Sequence, residues 1–222
     1  MHRIFFLLYL IFSDSLLHSQ SFVAVRDEPR HHNVFENDFI RLLDVHLAPK
    51  DTTLYHLHNT PSVFIVLSNS DVGSRLLGDK AQRGANLTGT ITYDPISTPR
   101  THQVWNEDTN WFHVMDIELT STTKGRAENL IQDQSLEKLF TEQKANGYKL
   151  ILDEGKSIEL PSAANGYLLV SLGRGKVELG FGEKLYHRKI SAGHYQWVDA
   201  GIKFAVRNDG KNTAEFVLLQ LK

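Results

Sequence analysis

The chain has 222 residues, 41% hydrophobic and 23% charged, with a formal net charge of −2 at pH 7. That balance fits a water-soluble globular protein of one large or two small domains and lacks the basic stripe that nucleic-acid binding requires. With no cysteine, disulfides are excluded, as is a lipid anchor on a cysteine at a cleavage site. No nucleic-acid partner and no stable membrane anchor are therefore expected.

The chain opens on a weakly positive Met1-His2-Arg3, an apolar run from Ile4 to Phe12, and the small or polar Ser19-Gln20-Ser21. That order predicts a secretory signal peptide over 1–20 and an exported (periplasmic or extracellular) protein. The run falls short of the roughly 20 apolar residues that a membrane-spanning helix needs. Arg30-His31-His32 is the densest basic cluster and reads as an exposed segment ahead of the first strand.

Tyr55-His56-Leu57-His58 follows, and His102 comes later in a Pro-x-x-His-x-x-x-Asn run from Pro99 to Asn106. Alternate residues of a strand point to one face, so His56 and His58 send their rings the same way. His102 lies on a second segment and meets the pair only if the strands curl into a barrel. Three neutral imidazoles on one ion would leave coordination positions open for water or substrate. With 11 histidines in the chain a lone His-x-His carries little weight, so its company decides. Pro61 and the apolar run Val63 to Leu67 come next, then Thr90-Ile91-Thr92-Tyr93. Turns follow around Asp94-Pro95 and Thr98-Pro99, then Glu107 to Asn110 as a turn, and a last strand from Trp111 to Leu119.

On these residues the chain resembles the cupin superfamily, whose first motif is Gly-x5-His-x-His-x3-4-Glu-x6-Gly and whose second is Gly-x5-Pro-x-Gly-x2-His-x3-Asn. His56 and His58 match the first histidine pair, and His102 and Asn106 match the end of the second motif. The glutamate position falls at Ser62 or Val63, neither of which replaces a carboxylate, and Pro-x-Gly is approximated only by Ser97-Thr98-Pro99. The resemblance thus implies a metal site of three histidines, His56, His58 and His102, holding a divalent ion (Fe, Mn, Ni or Zn). Residues in phase with them make Ser62, Phe64 and Asn106 pocket candidates. Tyr55, Tyr93 and Trp105 read as packing residues. His46 and His113 read either as groups supporting a bound metal or substrate, or as ordinary strand histidines.

A weak repeat runs through the chain. Asn37-Asp38-Phe39-Ile40-Arg41-Leu42-Leu43-Asp44 is echoed by Asn146-Gly147-Tyr148-Lys149-Leu150-Ile151-Leu152-Asp153. The second half also ends like the second cupin motif, but Phe204 stands where its histidine would be and no His-x-His precedes it. His187 and His194 read as surface or turn residues. The fold expected is all-β, two cupin-type (double-stranded β-helix or jelly-roll) barrels with a short helical linker. Its parts are an N-terminal cupin domain over 21–120, a linker over 121–145, and a degenerate C-terminal cupin domain over 146–222. The linker helix is predicted from the spacing of Leu136, Leu139 and Phe140, with Ser135 as its cap. Cupins commonly pair, so a homodimer is expected.

The function this implies is a secreted bicupin that binds a divalent metal and acts on a small organic molecule, in a dioxygenase- or isomerase-like way. The alternative is a non-catalytic bicupin that binds a sugar or other small ligand. Three neutral imidazoles leave the charge of an ion uncompensated, which favours an anionic or enediol-type substrate.

Overall fold

The structure is a computed structural model that describes residues 22–122, 125 and 128–222; the expected signal peptide lies outside the described residues. Among those residues, no helix is long and apolar enough to cross a membrane. The first half forms β1 (Val23–Ala24), β2 (His31–Glu36), β3 (Arg41–Leu47), β4 (His56–His58), β5 (Ser62–Val66), β6 (Ser70–Leu76), β7 (Gln82–Asn86), β8 (Ile91–Asp94), β9 (Arg100–Asn106) and β10 (Phe112–Glu118). The second half forms β11 (Leu136–Thr141), β12 (Ala145–Leu152), β13 (Ser157–Leu160), β14 (Tyr167–Ser171), β15 (Gly175–Phe181), β16 (Lys184–Ile190), β17 (Tyr195–Val198), β18 (Phe204–Asn208) and β19 (Ala214–Leu221).

Each half folds two sheets against one another, in the orders β1-β4-β9-β6-β7 and β2-β3-β10-β5-β8, then β11-β12-β19-β14-β17 and β13-β18-β15-β16. Alternation along the strands assigns their faces. On β3, Leu43, Val45 and Leu47 point into the first barrel and pack with Val66, Val72 and Phe112. Leu42, one step out of phase, points the other way. There, with Ile65 and Ile117, it packs against Leu168, Val217 and Leu219 of the second half. The two inner sheets are therefore buried on both faces, which is why β5, β14 and β19 are nearly continuous in apolar residues. A third cluster, including Leu150, Leu160, Leu179, Phe204 and Leu218, fills the second barrel. The described residues are all-β in two barrels, apart from a single 3-10 turn at Val25–Asp27.

The linker helix is corrected. Leu136–Thr141 is a strand paired antiparallel with β12, and its register shifts between Lys138 and Phe140. That bulge reverses the phase of the strand. Leu136 packs on the interior of the second barrel, and Phe140, four residues on, packs into the layer between the barrels. A bulged strand with apolar residues on both faces thus reproduces helical spacing.

Candidate metal centre

β4 and β9 are antiparallel neighbours in the outer sheet of the first barrel, with His56 opposite His102 and His58 opposite Arg100. His56 and His58 share a face because they are two residues apart on a strand, and the pairing brings His102 onto that face. The ring centroids lie 5.0 Å (His56–His58), 4.5 Å (His56–His102) and 4.9 Å (His58–His102) apart. One nitrogen from each ring lies within 4.8 Å of the other two.

The donor set fits a divalent ion. His56 Nδ1 is 2.9 Å from the Leu54 carbonyl oxygen, which can only accept, so Nδ1 carries the proton and the Nε2 lone pair is free. The Nε2 atoms of His58 and His102 are 3.1 Å apart. Ligand atoms each ~2.1 Å from a shared ion sit roughly 3.0–3.4 Å from one another. Burial is the main cause that lowers all three imidazole pKa values, to about 4 for His56, about 2 for His58 and about 3 for His102. Neighbouring histidines push in the same direction. At neutral pH all three rings are uncharged, the form a metal requires.

The rings open on a cavity of about 500 Å³ between the two sheets of the first barrel, with His31, Phe64, Val66, Arg100, Val104 and Asp116 in its wall. Phe64 thus stands where the sequence pattern puts it. Ser62 and Asn106, the other two pocket candidates, do not line the cavity. Ser62 is fully buried, and its hydroxyl donates to the Thr60 carbonyl oxygen at 3.2 Å. The Asn106 amide donates to the carbonyl oxygens of Leu47, Ala48 and Asn110, and its oxygen accepts from Asp108 N. Its bonding capacity is spent on holding strand ends together.

No family model and no curated protein matches this sequence. Solved structures do. AerE from Microcystis aeruginosa superposes with a TM-score of 0.60 at 12% identity, over 88% of this chain and 98% of that one. A cupin 2 conserved barrel domain protein from Leptotrichia buccalis gives 0.53 at 12% identity, over 85% and 86%. The chain has a cupin fold. A salicylate 1,2-dioxygenase from Pseudaminobacter salicylatoxidans gives 0.57 at 9% identity, over 82% of this chain and 71% of that one.

Within the first cupin barrel the structure adds residues that the sequence pattern did not single out. His31, read above as part of an exposed segment, is 9% exposed and its ring lies 4.8 Å from that of His56. Its Nδ1 pairs with Glu28 Oε2 at 2.9 Å. Glu28 also accepts from the backbone nitrogens of Arg30 and Leu54. Burial alone would raise the Glu28 carboxyl, but these bonds outweigh it and hold it below its ordinary value. Glu28 thereby fixes His31 and also the segment whose carbonyl orients His56. Asp116 is buried in the cavity wall, where burial and the charge of Glu118 push its carboxyl up to about 8. Its place in phase with Phe112 and Val114 on one strand was its one sequence signal.

His46 and His113 face away from this cavity. They are a register pair on β3 and β10, stacked with centroids 4.0 Å apart, and both reach Asp44 Oδ1. Both are on the strand face that turns toward the second barrel, so neither can touch a molecule in the first. Tyr93 stacks on Phe140, and Trp105 lies over Gly73, where an added Cβ would meet its ring at 2.1 Å. Tyr55 stands under Arg75. In the second cupin barrel Leu160 is opposite Phe204, in the pairing that His56 and His102 make in the first. Phe204 is 1% exposed and packs on Phe181, so apolar bulk stands where the first barrel has an imidazole. His187 is at the surface beside Asp209.

Proposed function

We propose that the first cupin barrel binds one divalent ion through His56, His58 and His102 and acts on a small organic anion in a dioxygenase- or isomerase-like reaction. The observation that carries this is the convergence of three uncharged imidazole nitrogens at one end of a cavity large enough for a small molecule. A bound ion would supply Lewis-acid activation of a coordinated oxygen or, as iron, access to oxygen chemistry. The rest belongs to the chain. Leu54 O holds the His56 tautomer. Phe64, Val66 and Val114 make the opposite wall apolar, Val104 extends the apolar lining beside His102, and together they exclude water. Arg100, paired with Asp94, places a guanidinium in the wall where an anionic group would lie. Glu28 occupies His31 Nδ1, leaving Nε2 as the ring nitrogen able to exchange a proton with a molecule in the cavity. The salicylate dioxygenase to which this fold is similar supports the substrate class, since a variant of that enzyme was determined in complex with gentisate.

Elemental analysis of protein purified without tag or chelator tests the reading, beside a His56→Ala/His58→Ala variant. Near-stoichiometric metal in the wild type, absent from the variant, is the result expected. No metal, even after reconstitution with iron, manganese, nickel and zinc, would overturn it and leave a barrel that binds a small ligand without metal.

A further inference from the structure

Asp116 is 1% exposed, and neither of its carboxyl oxygens makes a hydrogen bond of ordinary geometry; the Ser62 hydroxyl, close enough to lower its pKa, donates instead to Thr60 O. His58 Nδ1 lies 3.7 Å from Oδ2 and is also buried without a hydrogen-bond partner. A buried carboxyl left unbonded opposes folding, so its retention calls for a reason outside the packing.

The second barrel shows what the fold does without it. Asn106 Nδ2 donates to Leu47 O, and Asn208 Nδ2 donates to Leu152 O, so these positions correspond. Phe112 pairs with Leu47 and Ala214 with Leu152. Counting four residues along each strand sets Asp116 against Leu218, a core residue of the second barrel. The same correspondence sets His56 against Leu160 and His102 against Phe204. The acid and two of the three imidazoles are exchanged for apolar side chains together, and His58 gives way to Ser162, which ties Asp116 to the histidine site rather than to the barrel.

We propose that Asp116 is a positioning residue for the metal site, its carboxylate accepting the Nδ1–H of His58 so that Nε2 of that ring is held toward His56 and His102. A shift of less than about 1 Å closes the gap to hydrogen-bond length. A carboxylate behind a ligating imidazole fixes its tautomer and orientation and makes it a better donor. A bound ion would favour the ionised carboxyl against the upward push of burial, placing one negative charge a layer behind the ligands, in a site where Ser62 or Val63 stands at the cupin glutamate position. The inference rests on reading the first barrel as a metal site.

The test uses the whole chain and two variants. Asp116→Asn keeps the shape, and Asp116→Leu copies the residue that the second barrel carries. Zinc affinity is measured by competition with a chromophoric chelator, the visible spectrum with cobalt(II), and the melting temperature without metal. Both variants are expected to bind zinc roughly 10–100-fold more weakly than wild type and to shift the cobalt bands, while metal-free Asp116→Leu melts at or above the wild-type temperature. A merely structural acid would move the melting temperature and leave affinity and spectrum alone. Unchanged affinity and spectrum in a folded variant overturn the role of Asp116 and leave the metal site standing; should the leucine variant not fold, the asparagine variant decides. A wild type that binds no metal overturns both.

Discussion

His102 and Phe204 occupy one position in two copies of the same strand pair. Each precedes, by the same spacing, an asparagine whose amide ties its strand to the neighbouring sheet, and each faces its counterpart across the pair, His56 in one barrel and Leu160 in the other. One scaffold thus holds a polar interior beside an apolar one. Truncating the buried Phe204 to alanine removes most of a core side chain and should lower stability by about 3–5 kcal/mol. The metal content of the first barrel should stay the same. Urea denaturation beside elemental analysis checks both.

The three histidines make the metal-free protein acid-sensitive. Their folded pKa values, about 4, 2 and 3, lie below the ordinary 6.5. Below pH 6.5 the unfolded chain takes up protons that the native state refuses, so stability is full above that pH and falls as pH drops toward 4, by roughly 1.4 kcal/mol per pH unit for each histidine. Asp116 acts in the opposite sense, since its raised value of about 8 favours folding below 3.8 and loses that contribution as pH rises toward 8. Three groups outweigh one, so the urea midpoint of metal-free protein should drop between pH 6.5 and 4.5, less steeply in His102→Gln. A flat midpoint across that window would contradict the buried, neutral histidines.

Glu28 joins His31 to the strand that carries His56. Its replacement by glutamine keeps the size but weakens three charge-assisted bonds. The expected loss is about 1–3 kcal/mol of stability, with weaker metal binding because the Leu54 carbonyl that orients His56 loosens. Thermal melts and chelator competition on Glu28→Gln give the two numbers, and a variant indistinguishable from wild type in both would refute the link.

Gly147 lets Phe140 lie flat over β12, since a Cβ there would meet the ring at 2.2 Å. Gly147→Ala should therefore lower stability by about 1–3 kcal/mol through overpacking. Pairing the change with Phe140→Leu should recover part of the loss, as read from urea midpoints.

Much of this architecture was legible in the chain. Strand alternation put His56 and His58 on one face, and the resemblance of the His102 to Asn106 run to the second cupin motif implied the third ring. What escaped depended on partners remote in sequence. His31 enters the site only because the turn at Glu28 and the pairing of β2 with β3 fold it inward. Asp116 acquires meaning only beside His58, a neighbour across two sheets. Ser62 and Asn106 were in phase with the histidines, but phase does not say whether a side chain reaches the cavity or is captured by a nearby carbonyl. The linker failed for a local reason, since a bulge at Lys138–Phe140 disguises a strand as a helix.

The layer between the inner sheets has a consequence for self-association. A lone barrel of this kind would expose Leu42, Ile65, Met115 and Ile117 as one apolar sheet face, and here the same chain covers that face with Leu168, Val217 and Leu219. Tyr195 reinforces the join by donating its hydroxyl proton to Val34 O. The protein is in this sense a dimer made in a single translation, with a histidine-lined interior in one half and an apolar interior in the other. A homodimer of the kind expected above must therefore use a different surface, and either barrel expressed by itself should aggregate.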